Sequence, residues 1–356
     1  MKKNKLFFVF ALMVMTLISC HSKSQQNRIE YNGQEIFLNG INIAWIDFAA
    51  DIGPGETNFE GFKKIFREGH NLGANCMRLW LHTDGTRTPE FQGNKVIGPG
   101  IGSIEDLRKI LDLAYQEDIG LMLCLWSFDM LRKKNGELVN SRNIGILTVD
   151  SLMDSYIQNS LIPMVDSLKN HPAILAWEIF NEPEGMCDDI KWGGWDFNEH
   201  ISIKNVQRFI NKCSAAIHKT DTKLKVTNGT WSLISATDAD SFYNYYTDER
   251  LIETGGEKSG ILDFYTLHHY DWMPLSPFNK PLDYWGWDKP MVIAEFFPEC
   301  KNCGEFSNYE NLYKKGYAGA LGWDWRDKVS DKIKNEINYM FKNYPEAIQI
   351  VNKNEE

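Results

Sequence analysis

Apolar residues recur along this chain in eight runs that are nearly continuous rather than alternating. They are EIFLNGINIAW (35–45), NCMRLWLH (75–82), GLMLCLWSF (120–128), ILAWEIFNEP (174–183), LKVTNGTW (224–231), ILDFYTLHHY (261–270), PMVIAEFF (290–297) and YAGALGWDW (317–325). Strands buried on both faces read this way, because both rows of side chains meet apolar neighbours. Between the runs, apolar positions fall at helical spacing over 59–72, 104–118, 152–170, 203–220 and 332–343. The spacing predicts amphipathic helices there, with Ser103 as the N-cap of the second. Strands alternating with helices imply βαβ units and a parallel sheet. Eight strands in one series predict an α/β fold of the (β/α)8 TIM-barrel type. An open doubly wound sheet more often stops at five or six strands, and no G-x-G-x-x-G follows any run. No Pro-, Gly- or Ser-rich linker interrupts the chain after residue 30, and 356 residues suit one barrel with extended loops. A single domain is therefore expected over 30–346, followed by a polar tail, 347–356.

The first twenty residues read as an address. Lys2, Lys3 and Lys5 precede an apolar run, Leu6 to Ile18, that only Thr16 interrupts. That run is too short to span a bilayer and fits a secretory leader. It ends at Cys20, directly after a small residue, as a bacterial lipobox does. Cleavage before Cys20 and lipid on its sulfur would follow; the other reading is a plain signal peptide with an incidental cysteine. Residues 21–29 then form a tether, and the protein is an exported lipoprotein of the cell envelope, in the periplasm or on the outer membrane. Cys76 and Cys124 lie within apolar runs and are expected in the core. Cys300 and Cys303 form a lone C-x-x-C. An exported protein favours a local disulfide there over zinc, which needs a second ligand pair. Cys187 and Cys213 have no assignment.

Composition narrows the ligand. Lys plus Arg total 38 against 48 for Asp plus Glu, a formal charge of −10, which disfavours a phosphate backbone as partner. The 12 Trp, 14 Tyr and 20 Phe favour a neutral ligand with flat apolar faces.

Barrel enzymes work at the C-terminal ends of their strands. The reactive residues of this chain collect there: Arg78, Trp80 and His82 on run two, Asn181 and Glu182 on run four, His268, His269 and Tyr270 on run six, Glu295 on run seven, Trp323 and Trp325 on run eight. Two carboxylic acids at the mouth of one barrel are what glycoside cleavage needs. One protonates the leaving oxygen while the other attacks the anomeric carbon or activates water. The alternative is a buried ion-pair role for Glu182 and Glu295. An apolar run that ends in Glu is costly unless that Glu is paired or functional.

ILAWEIFNEP resembles the acid/base motif, and VIAEFF the nucleophile strand, of the large glycoside hydrolase clan with the (β/α)8 fold. From about residue 30 to 345 the chain resembles glycoside hydrolase family 5. FLNGINIAWIDFAADIG, NCMRLWLHTDG and WEIFNEPEG together look most like its endo-β-1,4-mannanases. The resemblance implies Glu182 as acid/base, Glu295 as nucleophile, and Asn181 on the sugar 2-hydroxyl. Arg78 would hold Glu295 ionised at a low pKa while that of Glu182 is raised. His268 would orient the acid/base, Tyr270 would touch the nucleophile, and Trp323 would lie beneath the sugar. The third run departs from the family: it ends Trp126-Ser127-Phe128 where many relatives carry His or Asn.

Other residues are read on their own terms. Glu178, deeper in run four, is expected to be structural, and Glu184 to be solvated in a loop. His82 either lines a sugar subsite or caps its strand, and His269 alternates away from the site. Trp45, Trp192, Trp195, Trp231, Trp272, Trp285 and Trp287 are stacking candidates, Trp272 first and then Trp192 and Trp195. The expected activity is double-displacement hydrolysis of internal β-1,4-mannosidic bonds, with no cofactor or metal and no obligate protein partner. A β-1,4-glucanase or an exo-β-mannosidase would use the same residues. A non-catalytic glycan-binding lipoprotein would keep the aromatics but would not need both glutamates.

Overall fold

The computed structural model describes residues 27–273, 275–298, 307–326 and 330–348. The leader with Cys20 and the pair Cys300 and Cys303 lie outside the described residues. Eight parallel strands close into a barrel in chain order. They are β1 (Leu38–Ala44), β2 (Cys76–Thr83), β3 (Gly120–Ser127), β4 (Ile174–Asn181), β5 (Val226–Thr230), β6 (Tyr265–His269), β7 (Met291–Phe296) and β8 (Gly319–Gly322). Each of the eight apolar runs supplies one strand, and all are buried but for the half-buried Ile174 that opens β4.

The helices pack outside the strands. α1 (Phe59–Leu72) and α6 (Ile203–Thr220) match the predicted spans. α1 is bounded by local chemistry: the Asn58 side chain accepts from the Gly61 N–H, and Gly73 takes a left-handed φ of 87° at the other end. α2 (Ser103–Gln116) begins one residue earlier than expected. Gly102 is its N-cap, and the Ser103 hydroxyl donates to the Pro99 and Gly100 carbonyls rather than capping the helix. The helix predicted over 152–170 is not uniform. α4 (Asp150–Tyr156) passes through a π turn at Ile157–Leu161 into α5 (Ile162–Leu168). Pro163 explains the wide turn, since it has no N–H to give and its ring crowds the preceding turn. α9 (Ser330–Asn343) closes the ring of helices. α3 (Glu137–Thr148), α7 (Asp248–Gly255) and α8 (Asn308–Lys314) are short, and the apolar pattern did not predict them.

The N-terminal end of the barrel is closed by an antiparallel hairpin, Ile29–Tyr31 with Gln34–Ile36. Ile29, Tyr31 and Ile36 pack on Leu38, Cys76 and Met122 there. At the other terminus Ala347 and Ile348 are buried. Their carbonyls accept from the Phe37 N–H and the Asn75 side chain. Ile29 and Ala347–Ile348 therefore belong to the folded unit rather than to the tether and tail. Cys76, Cys124, Cys187 and Cys213 are free, buried thiols. Among the described residues no helix is long and apolar enough to cross a membrane.

Tyr309 of α8 joins the ring of helices to the seam between β8 and β1. Its buried hydroxyl donates to the Gly40 carbonyl at 2.6 Å and accepts from the Gly322 N–H at 2.9 Å. Tyr309→Phe leaves both backbone groups without this partner. The expected loss is about 2 kcal/mol of unfolding free energy in urea; an unchanged midpoint would show that the seam does not depend on this bond.

Candidate active site

Four register shifts of the barrel fall where the chemistry gathers: between Asn42 and Ala44, Trp80 and Thr83, Glu178 and Asn181, and Leu267 and His268. Bulges of this kind turn a side chain from one face of a strand to the other. The shift in β2 divides its predicted row. Arg78 points into the barrel, and Trp80 joins Trp45 and Trp323. The His82 ring lies instead against Trp126 and Tyr156, with centroids 4.9 and 5.8 Å away, and its Nδ1 is 2.9 Å from the Thr88 hydroxyl. His82 is fully buried in the outer core and is not brought to the cluster.

Arg78 is wholly buried at the centre of the barrel mouth. Its Nε and Nη2 form a two-pronged ion pair with Glu178 at 2.7 and 2.6 Å. Nη2 also donates to Asn181 Oδ1 at 2.8 Å, and Nη1 to Asn42 Oδ1 at 2.9 Å and Glu295 Oε1 at 2.6 Å. All five N–H donors of the guanidinium thus have acceptors. Glu178 is the buried structural carboxylate its depth in the strand predicted. Asn42 was missed. Its amide nitrogen donates to the Ala294 carbonyl at 2.8 Å, which turns its oxygen to Arg78. The signal was present as an asparagine inside an apolar run. Gly229 on β5 is required by this network, since a Cβ there would collide with Glu178 Oε1 and approach Arg78 Nη2.

Glu295 accepts from Arg78 on one oxygen and from the Tyr270 hydroxyl on the other, at 2.7 Å. Glu182 follows β4 in a left-handed conformation, φ 49° and ψ 49°, pinned by its N–H to the Gly229 carbonyl at 2.7 Å. Its Oε1 lies 2.8 Å from His268 Nδ1, which is 3.5 Å from Glu295 Oε2. Asn181 donates to Ser127 Oγ at 3.4 Å, so the serine that departs from the family pattern still touches the site.

Burial pushes Glu182 well above the ordinary carboxylate range, and the charges of Glu295, Glu184 and Asp129 add to this. Burial also raises Glu295, but Arg78 and the Tyr270 hydroxyl oppose it. The low pKa expected for Glu295 is therefore not what results. Its carboxylate is fully desolvated, and Glu178 shares the guanidinium and repels it. The ordering holds all the same, with Glu182 keeping its proton to higher pH than Glu295. Burial, with Arg78 adding to it, lowers His268 well below its usual value and leaves a neutral ring.

One oxygen of Glu182, one of Glu295 and a His268 nitrogen lie within 4.8 Å of one another. These are ligand types for a cation. The guanidinium already sits against Glu295 at 2.6 Å, however, and its positive charge disfavours a second cation there.

Aromatic rings stand on both sides of the carboxylates. Trp45 just past β1, Trp80 on β2 and Trp323 just past β8 lie with centroids 5.1–6.1 Å apart. Across the barrel Trp231 follows β5 and stacks on Trp272 at 5.0 Å, with Trp195 edge-on to Trp231 at 5.6 Å. Trp272 is 51% exposed and Trp231 only 7%. Trp192 is exposed beside Lys191, whereas Trp285 is buried and donates to the Tyr317 hydroxyl. Trp287 donates to the Ala236 carbonyl and packs on Trp285. His269 packs on Phe278, away from the cluster as expected.

Glu184, expected in solvent, is fully buried. Its Oε1 accepts from the Tyr246 hydroxyl at 2.5 Å and its Oε2 from the Trp231 N–H at 3.3 Å.

Arg78→Lys can satisfy three acceptors at most and leaves Glu178 without its paired bonds. We expect about 3 kcal/mol lower unfolding free energy at pH 7. Adding Glu178→Gln should recover part of that loss. Additive losses in the two-residue cycle would deny the coupling.

Comparison with known proteins places these features in a family. The model for glycosyl hydrolases family 2, TIM barrel domain, matches residues 127–348, which hold β4 to β8 and both glutamates. The chain is 33% identical to a mannan endo-1,4-beta-mannosidase of Cryptopygus antarcticus, over 93% of this chain and 92% of that protein. It is 35% identical to that of Mytilus edulis, over 84% and 86% respectively. The crystal structure of the beta-mannanase from the blue mussel Mytilus edulis superposes with a TM-score of 0.84 at 30% identity, covering 92% of this chain and 99% of that one. Family 2 in the matched model and family 5 in the motifs meet in the barrel they share. The chain belongs to the (β/α)8 glycoside hydrolase clan and, within it, to the family of these mannan endo-1,4-beta-mannosidases.

Proposed function

We propose that this protein is a retaining endo-β-1,4-mannanase acting on mannan, glucomannan and galactomannan. The observation that carries the reaction type is the close approach of two carboxyls with unequal proton affinity. Oxygens of Glu182 and Glu295 lie within 4.8 Å. Retention uses carboxyls about 5–5.5 Å apart, whereas inversion needs ~6.5–9.5 Å to admit a water. The mannan backbone is supported by the relatives, which are mannan endo-1,4-beta-mannosidases. Endo action is supported by tryptophans on both sides of the carboxylates, since a chain cut internally needs sugar sites in both directions.

In the first step the Glu295 carboxylate attacks the anomeric carbon. The glycosidic bond breaks, and its oxygen takes the proton from Glu182. In the second step Glu182, now ionised, removes a proton from water. The hydroxide attacks the anomeric carbon, and Glu295 leaves as the free carboxylate. Arg78 and Tyr270 support Glu295 as an anion at both ends of the cycle. His268 orients Glu182, and Asn181, held by Arg78, presents its amide to the 2-hydroxyl. Trp323 lies under the sugar that is attacked, while Trp231 and Trp272 take the leaving side. The leader ending at Cys20 supports export and a lipid anchor in the cell envelope.

The test is product release from linear mannan, glucomannan, galactomannan, carboxymethyl-cellulose and xylan by the protein lacking residues 1–20. Oligosaccharides are expected from the mannans alone, and Glu295→Ala should lose at least about a thousandfold in kcat while still binding polysaccharide. Release from the glucans alone would replace the substrate. Silence on all five polymers with binding retained would favour the sugar-capture reading. Glu182→Ala should spare activated aryl mannosides relative to polymer, and an equal loss on both would remove it as the acid. For the anchor, Cys20→Ala should move the full chain from membrane to soluble fractions of the native cells.

A further inference from the structure

Glu184 is a fully buried carboxyl that the mechanism leaves unused, two residues from the proposed acid. It stands two residues after Glu182 in the short turn Pro183–Met186, and every residue of that turn is buried. Both its oxygens are acceptors, one to the Tyr246 hydroxyl and one to the Trp231 N–H. The same turn is fixed at its other positions. The Gly185 N–H donates to the Glu182 carbonyl, and the Trp195 N–H to the Gly185 carbonyl at 2.9 Å. The Trp195 ring lies so close over Gly185 that a Cβ there would meet it. One turn therefore carries Glu182 and grips two of the three tryptophans on the leaving side.

We propose that Glu184 is a positioning residue for this cleft: its buried carboxylate locks the turn of Glu182 to the Trp231–Trp272 wall, and its negative charge helps to hold the proton on Glu182. This rests on the reading of Glu182 as the acid of a mannanase. The two oxygens need two donors, which suits an ionised carboxylate. A protonated one must turn one oxygen into a donor and give up an accepted bond. Burial pushes Glu184 up to about 7, against the opposing bonds from Tyr246 and the Trp231 backbone. The titratable groups facing it are Glu182 and Cys187 on its own stretch of chain, and Tyr245 and Tyr246 ahead of α7. Above about pH 7 Glu184 is ionised, and its charge then resists ionisation of Glu182. The alkaline limit of activity, where Glu182 loses its proton, is carried to higher pH than burial alone would set.

Glu184→Gln is the direct test, since the amide oxygen still accepts from Trp231 and the amide N–H₂ can donate to the Tyr246 oxygen. The pH profile of kcat/KM on mannopentaose should lose its alkaline limb roughly one pH unit earlier than wild type, the scale of one carboxylate acting on another through a partly screened interior. An alkaline limb at the wild-type pH, whatever the loss in rate, would overturn the charge role. If Glu184→Gln does not fold, Tyr246→Phe tests the lock. It should lower kcat/KM on mannopentaose about tenfold and spare an aryl β-mannobioside that has no sugar on the leaving side. Equal effects on both substrates would overturn the lock. Wild-type protein that cleaves no mannan would break the underlying reading instead. The charge role would then be read without substrate, from infrared titration of Glu182 in wild type and Glu184→Gln: a lower midpoint in the variant supports it, and coincident midpoints overturn it.

Discussion

The site depends on one buried guanidinium. Taking Arg78 out of water costs several kcal/mol unless its charge and all its N–H groups find partners. Five acceptors on Glu178, Glu295, Asn42 and Asn181 meet that demand. These partners come from β1, β4 and β7, so Arg78 on β2 draws four strands to one point at the barrel mouth. The same geometry divides the charge. Glu178 takes two of the donors, which leaves Glu295 a share of the guanidinium rather than the whole of it. Tyr270 supplies the remaining support. Glu295 is an anion that costs something to hold, a useful property in the nucleophile proposed above.

The barrel and the pair of buried glutamates at its mouth were legible because burial on both faces leaves a strong pattern. A Glu or Arg within or at the end of a continuous apolar run announces a desolvated charge, and Arg78, Glu182 and Glu295 all stood in such a position. His82 shared the pattern and misled. A register shift in β2 is a backbone event that side-chain alternation does not record, and it turned the ring from the cleft to the outer core. Glu184 was unreadable for a different reason. A Glu after Pro in a loop looks solvated, and only the distant Tyr246 and Trp231 explain its burial. α3, α7 and α8 escaped because short or weakly striped helices take their stability from the barrel they pack on rather than from their own sequence.

The two carboxyls are governed from different layers. Glu295 sits on a strand and answers to fixed charges on the strands, Arg78 above all. Glu182 sits just past its strand, on a backbone bent into the left-handed region. Such a conformation is costly for a residue other than glycine and persists only where the surroundings impose it. Here the imposition comes from β5 and from the loops beside it: the Gly229 carbonyl on β5 takes its N–H, and Glu184 and Gly185 tie the following turn to Trp231 and Trp195.

That division bears on how such a cleft can change. Glu295 is bound into the ion-pair network, so a substitution around it unbalances buried charge in the barrel and endangers the fold. The turn of Glu182 is joined instead to the aromatic wall of the leaving side. A loop change that moves Trp231 or Trp272 to suit another sugar chain also moves the groups that set the proton on Glu182. On the proposed reading, substrate preference on that side and the pH range of the acid are linked through one short turn, while the anion across the cleft stays fixed by the barrel.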